Sequence, residues 1–502
     1  MQKSVISPSV SIKTTLIYSV LAFVGCLALY HGIFKTYAFA DSYEFIWTAD
    51  YDPNFQHQFI THGRPFYAFL NQLAYGTFSD TIADLKWMRL FSMFWAVLFS
   101  VQVFRYLLKL KLKAIEASLF SFSILALPSF SVYIGWSATY QVTLATNLSF
   151  LSGVILVKVF EQESKRIISS VIPLVLVIAS LMLYQTAGTA FLLPFVFKAT
   201  LTRYLSKRNF IAILLFLGAS FGLYFLIFKL HLFFSEIPAH NRTEISPIKL
   251  PYRFVKFYFR EIFALVKASG IILWSKLFLL LGSIPFLGFM YLFFKEAKHG
   301  KILLFIFLIS VAPLSYLPNL LSASNWLCNR ALGPTAVIIF FYQFYFIKQL
   351  YENSKIYKAL ALAGFAVVVS LSYVNLNHYI CNIQHKEYTV LRGTMGAINT
   401  NKYKNIIFKI PEQHFLINKG FYQKDYMGEF VQTSSSRIWV PNHFFYQILK
   451  EEGIIQNGDI HNFSVSVEPY NESLDKSMEN EIVINLRDIL AKEFSKALEA
   501  NE

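Results

Sequence analysis

The chain has 502 residues, of which 55% are hydrophobic and only 15% charged, with 52 phenylalanines and a mean hydropathy of +0.46. A soluble globular chain is charged at roughly a quarter of its positions, so that class is excluded and a polytopic membrane protein is expected. The net charge of +15 comes largely from lysine and arginine in short loops between apolar runs, which removes nucleic-acid binding as its explanation.

Apolar runs near 20 residues long are membrane-span candidates, because about 20 residues at 1.5 Å each cross the hydrocarbon. In chain order they are predicted at 14–34, 85–107, 114–134, 139–158, 167–184, 187–202, 209–230, 270–294, 302–321, 332–349 and 356–376, about eleven in all. The runs 167–184 and 187–202 are short and separated only by Tyr184-Gln185-Thr186-Ala187-Gly188-Thr189. A re-entrant element and two full spans are equally open there, since polar backbone at that depth must be covered by protein. The first run shows no clear small-residue cleavage site and is read as a retained signal anchor.

Orientation follows from basic residues in the short loops. Lys3 and Lys13, the group Arg105 to Lys113, Lys165 and Arg166, the group Arg203 to Arg208, the group Lys295 to Lys301, and Lys355 and Lys358 all fall on one side, taken as cytoplasmic. The loops 35–84 and 231–269 and the tail after about 377 are then outside. Residues 1–377 form the multi-span domain, and 378–502 form a small α+β domain outside the membrane. The tail holds short β-like runs (NIIFKI, SRIWV, FSVSVE, EIVINL) and a closing helix-like segment, DILAKEFSKALEA. Cys26, Cys328 and Cys381 lack metal-ligand spacing; Cys328 and Cys381 are both placed outside, where a pairing is open. Asn241-Arg242-Thr243 is a glycosylation sequon.

The chemistry concentrates in the first outer loop, which holds Asp41, Glu44, Asp50, Asp52, His57, His62 and Arg64 between two apolar runs. Asp41 and Glu44 are three apart and share a face if the loop is helical there. A carboxylate at that place can take a proton from a hydroxyl as a new bond forms; a solvated loop that merely stays out of the bilayer is the plainer alternative. Asp50-Tyr51-Asp52 spells the DxD tripeptide that holds metal and nucleotide diphosphate in many cytoplasmic transferases. Here no Gly-rich strand–turn–helix accompanies it, so no cofactor is firmly implied, a divalent cation stays open, and a loop-stabilising or acceptor-binding role is preferred. In His62-Gly63-Arg64-Pro65, glycine permits a tight turn, proline suits a first helical turn, and Arg64 stands at headgroup height, where its fork matches a phosphate.

The succession ADSYEF, HGRPFYAFLNQLAYGTF and LKWMRLFSMFWAVLF resembles the first external loop of the GT-C glycosyltransferases: an early acid, a basic-proline turn, a surface helix, then an Arg-Leu pair at the mouth of the second span. The usual basic-Pro-Pro string has a single proline here. The resemblance implies an inverting transfer of a monosaccharide from a polyprenyl-phosphate donor to a hydroxyl of an external glycan or lipid-linked acceptor. It makes Asp41 the first choice for catalytic base, with Glu44 in reserve. His62, Asp50 and Asp52 are expected to contact substrate, and Arg64, Arg89 on the lip of the second span, Arg330 and Arg253 to hold the donor phosphate. Snorkelling to the headgroups is the alternative for Arg64 and Arg89. Arg253, Lys256 and Arg260 form one stripe of PYRFVKFYFREIF, a helix that anchors to anionic lipid or guides a lipid phosphate. Arg330 is the one charge in SNWLCNRALGP, and an isolated arginine beside a span calls for an anionic partner. Tyr184 and Gln185, which interrupt an apolar run, resemble a pair in the O-antigen glucosyltransferase, serotype-converting branch. That branch points to a bacterial inner membrane with the site facing out, a hexose such as glucose, and an O-antigen acceptor in the lipopolysaccharide of the cell envelope.

Two other classes compete. A flippase or transporter for a lipid-linked saccharide would place ionisable residues within the spans at mid-membrane, whereas here they crowd one face. An O-antigen polymerase or ligase relies on external arginines, and the early acidic loop argues against it.

Overall fold

The computed structural model describes residues 11–161, 169–236, 238, 240, 243–267, 276–324, 326–352, 355–422, 429–456, 463–470 and 480–499. Lys3, Lys165, Arg166, Asn241, Arg242 and the starts of the runs expected at 167–184 and 270–294 lie outside those residues. The chain is a mostly helical polytopic protein with one small sheet. Among the described residues, six helices are long and apolar enough to cross a membrane, or seven if one bent pair counts as a single span.

The differences from the expected runs have local causes. The run 114–134 is broken into helices Ala114–Leu125 and Pro128–Gly135, bent by 55°. Pro128 disfavours helical backbone at the residue before it, and Leu127 is extended. The runs 167–184 and 187–202 become helices Val171–Leu183 and Leu192–Thr202, of 13 and 11 residues, each shorter than the roughly 20 residues a full crossing needs. The break between them is covered by protein. The Ser149 hydroxyl donates to the Gly188 carbonyl and accepts from Phe191 N–H, and the Thr189 hydroxyl reaches the Ser315 carbonyl. Gly153 makes this approach feasible, because a Cβ there would lie 2.2 Å from the Phe191 carbonyl oxygen. The helix Lys355–Leu376 does not stop at the expected boundary but runs through a π-turn, Asn377–Asn382, into Ile383–Gly396.

In the tail, β1 (Asn405–Ile410), β2 (Ser464–Pro469) and β3 (Glu481–Asn485) form a parallel sheet of order β2-β1-β3, with Phe408 opposite Val467 and Ile484. The run SRIWV is not the strand its β-rich composition suggests. It continues from a 3-10 turn, Ser434–Ser436, into the helix Val440–Glu451, whose first turn takes Pro441 because a proline there forfeits no intrahelical bond. All three cysteines are free and buried, so Cys328 and Cys381 are not paired.

The first loop and the tail pack into one body. Tyr43 of helix Asp41–Thr48 meets Phe444 at 4.3 Å between ring centres, and Trp47 stacks on Tyr446 at 5.3 Å. Lys450 pairs with Asp50 at 3.2 Å and Asp80 at 2.7 Å. The segment after helix Lys207–Ser235 joins the same end, with His240 N–H donating to the Thr61 carbonyl and Ala323 N–H to that of Glu244. At another loop cluster, Arg203 joins Glu296, Tyr345 and Gln349.

Candidate active site

Where the first loop, the tail and the helix Lys207–Ser235 converge lies a cavity of about 710 Å³. Asp41 and Glu44 line it from the first turn of helix Asp41–Thr48, an end where the helix dipole favours negative charge. Ala40, immediately before, is held at φ 49°, a conformation that costs a non-glycine residue roughly 1–3 kcal/mol and persists only where neighbours enforce it. They do: Ala40 N–H donates to the Ser434 hydroxyl at 2.8 Å, and that hydroxyl donates to Gln384 Oε1 at 2.5 Å. The buried Glu387 carboxylate accepts the N–H groups of Ser434 and Ser435 at 2.6 and 2.8 Å. Thus a turn near residue 434 fixes the backbone that presents Asp41.

Glu44 is pushed up to about 7 by burial first, then by the nearby charges of Asp41 and Asp52. The native state keeps its proton up to about pH 7, whereas the unfolded chain releases it near 4.5. Glu44 therefore withdraws stability as pH rises from about 4.5 to 7, and the loss is complete above that. Glu44→Gln is expected to raise stability at pH 8 by about 1–2 kcal/mol, allowing for solvent at the cavity, and to leave it nearly unchanged at pH 4. Thermal unfolding at the two pH values measures this; an equal effect at both would show that Glu44 does not titrate in this range.

Arg64, His62, Tyr184 and Gln185 meet on the same wall. Arg64 Nε donates to Gln185 Oε1 at 3.0 Å, and its guanidinium lies 4.5 Å from the centre of the Tyr184 ring. Gln185 Nε2 donates to the His62 carbonyl at 2.7 Å and to the Tyr224 hydroxyl at 3.0 Å, and that hydroxyl donates to the Gly63 carbonyl at 2.8 Å. The His62 ring sits 4.4 Å from that of His240. Gly63 has φ +77°, and a Cβ there would stand 2.4 Å from the Tyr224 hydroxyl. Gly63→Ala is therefore expected to destabilise by about 1–3 kcal/mol and to loosen Arg64. The thermal midpoint tests this, and an unchanged midpoint would rule the strain out.

Arg330 enters from a third segment. Its guanidinium lies 4.5 Å from the centre of the Trp136 ring and its Nε is 3.3 Å from Glu429 Oε1, while its backbone N–H donates to Glu429 Oε2 at 3.2 Å. The anion expected beside it is therefore supplied in part by the tail. Arg437 lines the cavity from the same tail. Asp41 lies close enough to act electrostatically on both arginines. Phe221, Phe225 and Phe228, one face of helix Lys207–Ser235, make an apolar wall, while Leu215, Leu226 and Leu230 of that helix stand exposed.

Four expected residues are not brought to the cavity. Arg89 is fully buried and donates to the carbonyls of Ile33, Tyr37 and Lys35 at 2.8, 2.8 and 2.9 Å, stacking on Tyr37. It fastens the exit of the first helix instead of facing a phosphate. Arg253 likewise binds the carbonyls of Leu320, Ser322 and Ala323, ordering the chain that leads to Arg330. Asp50 pairs with Lys450 of the tail, and Asp52 accepts Asn54 N–H at 2.8 Å in a local turn. The DxD tripeptide is thus a docking and turn element. No group of three or more metal-ligating side chains is assembled among the described residues.

Trp136, Tyr224, Glu429 and Arg437 belong to the site and were not singled out in the sequence. Only Arg437, the charge within SRIWV, carried a local signal, and its strand-like surroundings concealed it.

Fold and cavity together define a polytopic helical protein with a mixed carboxylate–guanidinium cavity at one end, bordered by an apolar helix face. Compared with known proteins, the chain matches no protein-family profile and no curated protein.

Proposed function

We propose that this chain is a GT-C-type membrane glycosyltransferase built on about eleven apolar membrane segments, two of them too short to cross alone, with its tail a small domain outside the membrane. It moves a hexose such as glucose from a polyprenyl-phosphate donor to a hydroxyl of an extracytoplasmic glycan such as O-antigen, with inversion. One observation carries the reading: Asp41 and Glu44 line the same cavity as Arg64 and Arg330, together with the phenylalanine wall. Carboxylates alone would suit a cation, and arginines alone an anion. Both together suit a reaction that removes a proton at one atom and releases a phosphate at another.

In this mechanism Asp41 takes the proton of the acceptor hydroxyl. The oxygen attacks the anomeric carbon while the bond from that carbon to the phosphate oxygen breaks, and the phosphate departs with the electron pair. Arg64 and Arg330 meet the charge that develops on it. Glu44, half-ionised near neutrality, holds Asp41 company on the helix face and tunes its field. The lipid chain of the donor lies along Phe221, Phe225 and Phe228, which places its reactive carbon at the membrane's edge.

The test is mass spectrometry of the surface glycan in cells producing wild type, Asp41→Asn or Glu44→Gln at equal protein level. A hexose-sized gain with wild type that is lost with Asp41→Asn is expected. A gain that survives both substitutions rules out these carboxylates.

A further inference from the structure

Arg437 has no part in the chemistry above, and its surroundings call for an anion. It follows the turn Ser434–Ser436 and lines the cavity. Its Nη2 donates to Gln432 Oε1 at 3.2 Å. Its Nη1 is buried and has no hydrogen-bond partner among the described residues. The guanidinium carbon lies 5.5 Å from the centre of the Phe39 ring and 5.9 Å from that of Trp136, so aromatic faces take the place of water. Arg330 is met by Glu429 at 3.3 Å; among the described residues the Arg437 side chain hydrogen-bonds to the neutral amide of Gln432, and Asp41, Glu429 and Glu387 act on it electrostatically without a hydrogen bond.

The energetics favour an incoming partner. A guanidinium stays charged in a protein, and a buried donor left unpaired costs about 1–3 kcal/mol, more when it is charged. Burial pulls Arg437 below its ordinary value, and the charge of Arg330 adds to this, while Asp41, Glu429 and Glu387 act in the opposite direction. Its place relative to Asp41 is fixed, since the turn it follows is tied to Ala40 through Ser434 and to Glu387 through Ser434 and Ser435.

We infer that Arg437 is a substrate-binding residue whose Nη1–H is given to a phosphate oxygen of the ligand, so that the tail completes the anion site begun by Arg64 and Arg330. This rests on the glycosyl-transfer reading, in which the ligand carries a phosphate. Phosphate is the chemistry recognised, whether it arrives on a lipid or free. The tail is then part of the active site itself and not a cover laid over it.

Binding to the purified full-length chain in detergent tests this, with undecaprenyl monophosphate, the neutral alcohol of the same chain length, and inorganic phosphate as probes. Wild type is expected to prefer the lipid phosphate over the alcohol and to bind inorganic phosphate far more weakly. Arg437→Gln is expected to reduce that preference about 10- to 100-fold, the range for a lost hydrogen bond to a charged group, without altering affinity for the alcohol. A folded Arg437→Gln protein with the wild-type preference overturns the inference and leaves the glycosyl-transfer reading standing. Should that variant not fold, Arg437→Met keeps an unbranched side chain without a donor or charge, and an undiminished preference there overturns the inference equally. Wild type with no preference for phosphate over alcohol overturns both. Inorganic phosphate bound as tightly as the lipid, and lost in Arg437→Gln, supports the anion site while overturning the lipid donor.

Discussion

Asp41→Asn is expected to lower the rate of sugar transfer by about 10²–10⁴-fold, the contribution of a positioned general base. The substitution keeps the side chain's size and its place at the helix start, so the strained Ala40 and its bond to Ser434 should survive. Near-normal thermal stability should accompany the loss. The change also removes one of the charges that hold Glu44 high, so Glu44 in Asp41→Asn should titrate below about 7. A variant inactive only because it unfolds would show neither normal stability nor a lowered Glu44 transition.

The second large effect belongs to Arg330, where structure and chemistry overlap. Arg330→Gln takes the guanidinium from Glu429, whose side chain is 8% exposed, and leaves it the backbone N–H of residue 330. Removing one member of such a buried pair costs about 3–5 kcal/mol, and the lower end is expected because Arg330 itself keeps 23% of its side-chain exposure. Transfer should fall by about 10²–10³-fold, the effect of losing a donor aimed at developing charge. Combining it with Glu429→Gln separates the two roles. The double variant removes the charge that has lost its guanidinium and should recover most of the stability while transfer stays low. Recovery of both would make Arg330 purely structural.

These two residues also show what could be read from the sequence. Asp41, Glu44, Arg64 and Arg330 stood out because an ionisable group beside an apolar run is costly enough to need a reason, and the cavity gathers all four. The Tyr184-Gln185 pair was visible as a polar break in an apolar run, and its amide proves to hold Arg64. Arg89 and Arg253 gave the same signal with a different outcome. A sequence shows that a guanidinium sits near the membrane's edge, but not whether it faces a cavity or the carbonyls at a chain turn.

The rest was hidden by distance or by averaging. Ser434 secures Ala40 from far along the chain, and Glu429 and Arg437 reach the cavity through tertiary packing that no local pattern encodes. The run 114–134 is apolar on average despite Glu116 and its serines, so hydropathy passed over the bend at Pro128. In SRIWV the β-branched and aromatic residues outweighed the Ser-rich turn before them and the Pro441 after them. Strands β1, β2 and β3 were legible because short apolar alternation stood out against a polar tail. Their parallel order was not, since it depends on the connections between them.

The most direct test of the central claim is a reconstituted reaction. The purified chain in liposomes is supplied with a polyprenyl-phosphate hexose and a short O-antigen-type acceptor, and product and lipid are followed together. Gain of one hexose by the acceptor, matched by release of polyprenyl phosphate and absent with Asp41→Asn, is the predicted result. Movement of intact lipid-linked sugar across the bilayer with no transfer, or transfer undiminished in Asp41→Asn, would contradict the account.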